Sequence, residues 1–243
     1  LAVRSHVAIG ERTGSRLANF ILTFAILMLM VTVLLTSISY MMVGISGEKS
    51  ARVTEVVVSA IPAQAWMDGK ILAFTAVGLI VGVVWAASLI AVAGPLSFTV
   101  PGTVHVGNLA LTVLYSLLGL MLYNAFIAAL MASAQNIQTA SRWQANFLML
   151  PFVPVFFLGA LLDAPDAPWV MAVSQIPFFS PVMIPTRMVL GAVQAWEIAL
   201  GLALLVVAFW FMRIVAGRVF RLGMLMYGKD MTLPELIRWA RVK

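Results

Sequence analysis

No residue from Leu17 to Gly47 carries a charge, nor does any from Ile71 to Val104, Val106 to Ser141 or Trp143 to Leu162. A helix needs about 20 predominantly apolar residues to cross a hydrocarbon core of about 30 Å. Runs of this length cannot be hidden inside a soluble domain of 243 residues. The chain is 63% hydrophobic and 10% charged, against about 45–50% and about 25% in ordinary soluble domains. The bilayer is the solvent that suits it, and the expected fold is an all-α integral membrane protein.

These runs, with a last apolar stretch near 195–216, give about five transmembrane helices, at 19–45, 70–94, 108–132, 143–162 and 195–216, within a transmembrane domain 19–216. Gly94-Pro95 closes the second span, while Pro151 and Pro154 interrupt the fourth. The polar residues 1–18 are expected to be the end of an external segment of a longer chain whose first helix lies upstream. Residues 217–243 form a basic tail. Within it Thr232-Leu-Pro-Glu235 matches a capping box, followed by an amphipathic pattern suited to the inner membrane surface.

The stretch 168–190 is apolar but contains Pro168, Pro177, Pro181 and Pro185. Proline removes a backbone hydrogen bond and crowds the preceding turn. The charge pattern decides how to place it. With five spans, the side holding 47–69, 133–142 and the tail, together with Lys70 and Arg213 at the span ends next to it, has eleven of the fifteen basic residues, including Lys49, Arg52, Arg142 and Arg218. A sixth crossing would separate the tail from the first loop. The positive-inside rule therefore favours a re-entrant or external helical hairpin at 168–190 and a cytoplasmic C-terminus.

Segment 47–61 holds the functional signal. Val53, Val56, Val57 and Ala60 recur at helical spacing, and Glu48, Lys49, Arg52 and Glu55 gather on the other face. Glu48 with Arg52 and Arg52 with Glu55 are spaced as helix-supporting pairs. Pro62 ends the segment. The expectation is a cytoplasmic amphipathic helix too short to cross. A lipid-surface anchor favours lysine and arginine on its polar face, whereas charges of both signs suit a protein partner.

The run Glu48-Lys49-x-x-Arg52-x-x-Glu55-Val56-Val57-Val58-Ser59, then Pro62 and Gly69-Lys70 opening the next span, resembles the membrane subunits of ABC-2 type exporters. Within them it is most similar to the C-terminal part of the NatB-like sodium-extrusion permeases. The resemblance implies that this segment is the coupling helix, docking on a separate ABC ATP-binding subunit that binds ATP and Mg. It further implies a second permease copy, as a homodimer or related heterodimer, in a bacterial inner (plasma) membrane. The chain would be a transport subunit for export or efflux, without an ATPase site of its own.

Gly69-Lys70 is followed by Ile71, so no phosphate-binding loop is present. His6 and His105 are isolated, and the chain has no cysteine, so no metal site or catalytic residue is expected and no cofactor within the chain. The basic excess flanks apolar spans and does not point to nucleic acid. Ionisable residues within membrane spans are functional candidates. Glu197 is taken as the exception in a chain almost without them, and with Arg187 it is a candidate either for an interfacial structural pair or for part of an outer gate. Gly78 and Gly82 permit close helix packing, either within the subunit or between copies. The alternative functions are an ATP-independent secondary transporter or channel, and a non-transporting membrane scaffold. The sequence leaves the substrate open between sodium, drug, lipid and peptide.

Overall fold

The computed structural model describes residues 2–50, 60–93, 106–133 and 146–225. Among them are seven α-helices and one 3-10 helix: α1 (Ala2–Ser50), α2 (Ala63–Ala93), α3 (Val106–Ser133), the 3-10 helix (Leu150–Phe157), α4 (Leu158–Asp163), α5 (Pro168–Ser174), α6 (Ser180–Val189) and α7 (Ala195–Leu225). Among the described residues four stretches are long and apolar enough to cross a membrane: Thr23–Glu48, Ala63–Ala91, Asn108–Ser133 and Ala195–Arg221.

The expected boundaries shift in physically simple ways. The helix of the first span begins well before residue 19, because α1 is helical from Ala2 onward. The second begins at Ala63, so Asp68 lies inside a membrane helix. The fourth expected span is not one continuous α-helix in its described part. Leu150–Phe157 winds as a 3-10 helix containing Pro151 and Pro154, and α-helix resumes only at Leu158. Proline has no N–H to donate, so Pro151 and Pro154 each leave a gap in the hydrogen-bond ladder there. Helix α7 runs past residue 216 to Leu225, and the rest of the tail lies outside the described residues.

Side-chain pairings fix the helix directions. Lys70 near the start of α2 meets Glu48 near the end of α1, and further along α2 Gly78 faces Ser37. Helices α1 and α2 are therefore antiparallel. Ser116 and Asn124 of α3 meet Met30 and Ser37 of α1 in rising order, so these two helices are parallel. Asp68 of α2 pairs with Arg213 of α7, while the Tyr115 hydroxyl donates to the Ile198 carbonyl at 2.8 Å near the start of α7. Helices α1, α3 and α7 thus run one way and α2 the other. The chain between α3 and α7 must return from one end of the bundle to the other.

A buried polar cluster joins α1, α2 and α3 at mid-height. Ser37 Oγ donates to the Phe74 carbonyl at 2.8 Å and accepts from Asn124 Nδ2 at 2.9 Å. Asn124 Nδ2 also reaches Thr75 Oγ1 at 3.2 Å. Lipid is as apolar as leucine, so helices in a bilayer are held by close packing and such bonds. Gly78 supplies the close packing: a Cβ there would stand 3.0 Å from Ser37 Cβ and 2.7 Å from Leu120 Cδ2.

Helix α6 packs into this bundle, against α1, α3 and α7, and α5 packs on α6. The turn between them brings the Phe178 ring within 5.4 Å of Tyr123 and 5.2 Å of Phe126, and the Tyr123 hydroxyl donates to the Phe178 carbonyl at 2.6 Å. These partners lie just past the midpoint of the apolar stretch of α3. Pro181 fits against α3 where Gly119 has no side chain. Helix α6 is buried from Ser180 to Met188.

Candidate functional site

Two ionic junctions lie at opposite ends of the four-helix bundle. At the hairpin end, Arg187 is fully buried, and its Nη1 sits 2.6 Å from Glu197 Oε2. Its guanidinium also donates to the Pro165 carbonyl at 3.0 Å, Ser174 Oγ at 2.9 Å and the Ala192 carbonyl at 2.8 Å. Glu197 Oε1 accepts from the Gln194 N–H at 3.1 Å. One arginine thus ties the loop before α5, the end of α5, the end of α6 and the start of α7.

Local chain chemistry prepares this junction. Helix α6 ends with Gly191 at φ 71°, and the Ala192 and Gly191 N–H groups return to the Arg187 and Met188 carbonyls at 3.1 Å. This is a Schellman motif, which needs the left-handed conformation that glycine adopts without penalty. The same turn aims the Ala192 carbonyl at Arg187. The carboxylate of Glu197 sits in the first turn of α7, where the helix dipole favours negative charge.

At the other end, Glu48 and Lys70 form an ion pair of 2.6 Å across the ends of α1 and α2. Lys70 also lies over the Trp66 ring at 5.0 Å. Beside it, Arg213 grips Asp68 with two bonds, Nε to Oδ1 at 2.7 Å and Nη2 to Oδ2 at 2.5 Å. Gln64 Nε2 donates to Asp68 Oδ1 at 3.0 Å and to the Arg213 carbonyl at 3.2 Å.

Of the residues singled out in the coupling segment, only Glu48 and Lys70 are brought together. Lys49 belongs to the last turn of α1, and Arg52, Glu55 and Ser59 lie outside the described residues. The Pro62 carbonyl accepts the Trp66 N–H at 3.1 Å at the entrance to α2, and a side chain at Gly69 would meet open space. Gly78 and Gly82 both face α1 within the chain, Gly82 opposite Val33. Asp68 and Arg213 correct the expectation that Glu197 is nearly alone among ionisable residues in membrane helices. The signal was present, since Arg213 interrupts an otherwise apolar run and a charge in lipid requires a partner. Asn124 was likewise visible as an amide inside a span. Among the described residues no three metal-ligating side chains cluster.

The comparison with known proteins bears on the whole arrangement. A family model described as "ABC-2 family transporter protein" matches residues 7–218, which takes in both junctions and all of the four long apolar stretches except the last three residues of the final one. The chain belongs to the ABC-2 family of transporter proteins. It is 25% identical over 191 residues to the uncharacterized protein MJ1024 of Methanocaldococcus jannaschii, covering 79% of this chain and 46% of that protein. It is 26% identical over 211 residues to the uncharacterized protein YhaP of Bacillus subtilis, covering 82% and 50% respectively. The chain spans about half the length of the curated relatives it matches. No solved structure matches it. ABC-2 membrane proteins are transport subunits and not themselves the ATPase, and the multi-pass helical bundle fits that class.

Proposed function

We propose that this chain is the membrane-spanning part of a permease subunit in an ATP-driven exporter, with segment 47–61 docking on a separate ATP-binding subunit. The observation that carries the reading is the ABC-2 family match over residues 7–218. Glu48 and Lys70 add support, because their ion pair staples together the two helices that flank the docking segment. ATP and Mg belong to the partner, and a second permease copy completes the translocation path. The NatB-like character and the inner-membrane setting rest on the resemblance of residues 48–70.

Five crossings, with the hairpin at 168–190 re-entrant from the outer face, agree best with the parallel course of α3 and α7. Eight residues of 3-10 helix at about 2.0 Å each and six of α-helix at about 1.5 Å reach roughly 25 Å. That nearly spans a hydrocarbon core of about 30 Å. The C-terminus is then on the same side as segment 47–61, as the positive-inside rule asks.

The test is a mild-detergent purification of the full-length protein, with co-purifying proteins identified by mass spectrometry. A variant with Arg52→Glu and Glu55→Lys is run beside it, leaving the Glu48–Lys70 staple intact. A P-loop ATPase that accompanies the native protein and is lost from the variant is the expected result. A native protein that purifies without any ATPase would sink the exporter reading and favour a self-contained carrier, channel or scaffold.

A further inference from the structure

We propose that Asp68 and Arg213 are positioning residues through which movement of the segment between α1 and α2 enters α7, and that α7 hands it to the hairpin through Glu197 and Arg187. This rests on the reading that the segment docks an ATP-binding subunit.

The ends of α1 and α2 are joined by Glu48 and Lys70, so a displacement of the docking segment moves both helix ends as one body. On another side of the same turns of α2, Asp68 and Gln64 take hold of α7 through the Arg213 side chain and carbonyl. The fit is close, because a Cβ at Gly217 would collide with the Gln64 amide. Even a small side chain there would push α2 away from α7. A two-bond grip between a planar guanidinium and a carboxylate fixes orientation as well as distance, so α7 follows tilting of α2 as well as translation.

Along α7 the two junctions are separated by sixteen residues, about 24 Å at a rise of about 1.5 Å per residue. Between them Leu204, Val207 and Trp210 are exposed and apolar. Lipid contacts hold no register, so nothing on this face opposes a shift of α7, and any shift runs along its other face, where Leu205 is buried with Tyr115 of α3. At its far end Glu197 is bound to Arg187, which also holds α5 and the end of α6. The hairpin tip reaches the mid-height of α3 beside Tyr123. A shift of α7 therefore acts on α6, which is buried against α1, α3 and α7. Two bland ion pairs would stabilise the same structure without passing anything on, and a coupling measurement separates the two cases.

The experiment uses the full-length protein with its ATP-binding subunit in lipid nanodiscs, with other reactive cysteines removed. A nitroxide on Ala172→Cys, exposed on α5, reports the hairpin with and without ATP trapped by vanadate. The native protein should show an ATP-dependent change in the spectrum. Asp68→Asn should reduce that change at least about fivefold, the lower end of ordinary coupling strengths, while the ATP-binding subunit stays bound. Exchanging the charges, Asp68→Arg with Arg213→Asp, should restore most of it. An undiminished signal in Asp68→Asn, no rescue by the exchange, or no hairpin response in the native complex would each overturn the proposal. Absence of any ATP-binding subunit from the native preparation would instead remove the docking reading beneath it.

Discussion

Arg187 makes four hydrogen bonds while fully excluded from solvent, and its partners come from four separate pieces of chain. Removing one member of a buried ion pair leaves the other uncompensated, at a cost of about 3–5 kcal/mol. Arg187→Met should therefore lower stability by that order, read as a shift in the thermal or denaturant unfolding of the detergent-solubilised protein. Pairing it with Glu197→Leu should recover only part of the loss. The Pro165 and Ala192 carbonyls lose their donor in either case. Gly191→Ala is expected to cost about 1–2 kcal/mol, because an L-residue is disfavoured in the left-handed region that the Schellman turn requires.

At the scale of elements, the contact between α1, α2 and α3 depends on a missing side chain and a satisfied amide. Gly78→Val should force α2 away from Ser37 and Leu120, with an overpacking cost of about 1–3 kcal/mol. Gly82→Ala should be nearly neutral, since its Cβ would stand 3.4 Å from Val33, an ordinary contact. Comparing the two variants by unfolding separates tight packing from a generic small-residue pattern. Asn124→Ala removes two interhelical bonds and should cost about 1–2 kcal/mol, in line with interhelical hydrogen bonds in membranes. The proline-bearing elements divide the labour differently. In the 3-10 helix Pro151 and Pro154 leave gaps in the hydrogen-bond ladder, whereas in α6 Pro181 packs against Gly119.

For the whole molecule, the parallel course of α3 and α7 makes a topological prediction. If 146–163 crosses the membrane, three crossings separate Ala60 from Asp166, and the two lie on opposite sides. Both are exposed, and the chain has no cysteine to interfere. Ala60→Cys and Asp166→Cys should therefore react with an impermeant maleimide from opposite faces of sealed vesicles. Labelling from the same face would leave 146–163 short of a full crossing and remove the five-span topology.

The amino-acid sequence determined that the chain is a helical membrane protein, since only a bilayer accommodates uncharged runs such as Leu17–Gly47. It also pointed to the transporter family, through the charged amphipathic pattern between Glu48 and Lys70. Both signals are local, written in composition and in spacing over a few turns. Helix direction, the depth reached by the hairpin and the partner of each buried charge were decided only by tertiary structure. Asp68 and Arg213 stand 145 residues apart in the chain, and their meeting depends on α2 and α7 packing antiparallel. The same holds for Asn124, whose amide was visible in α3, while its partners on α1 and α2 were not. A polar group in lipid announces that it needs a partner, but the packing of the helices chooses which one it gets.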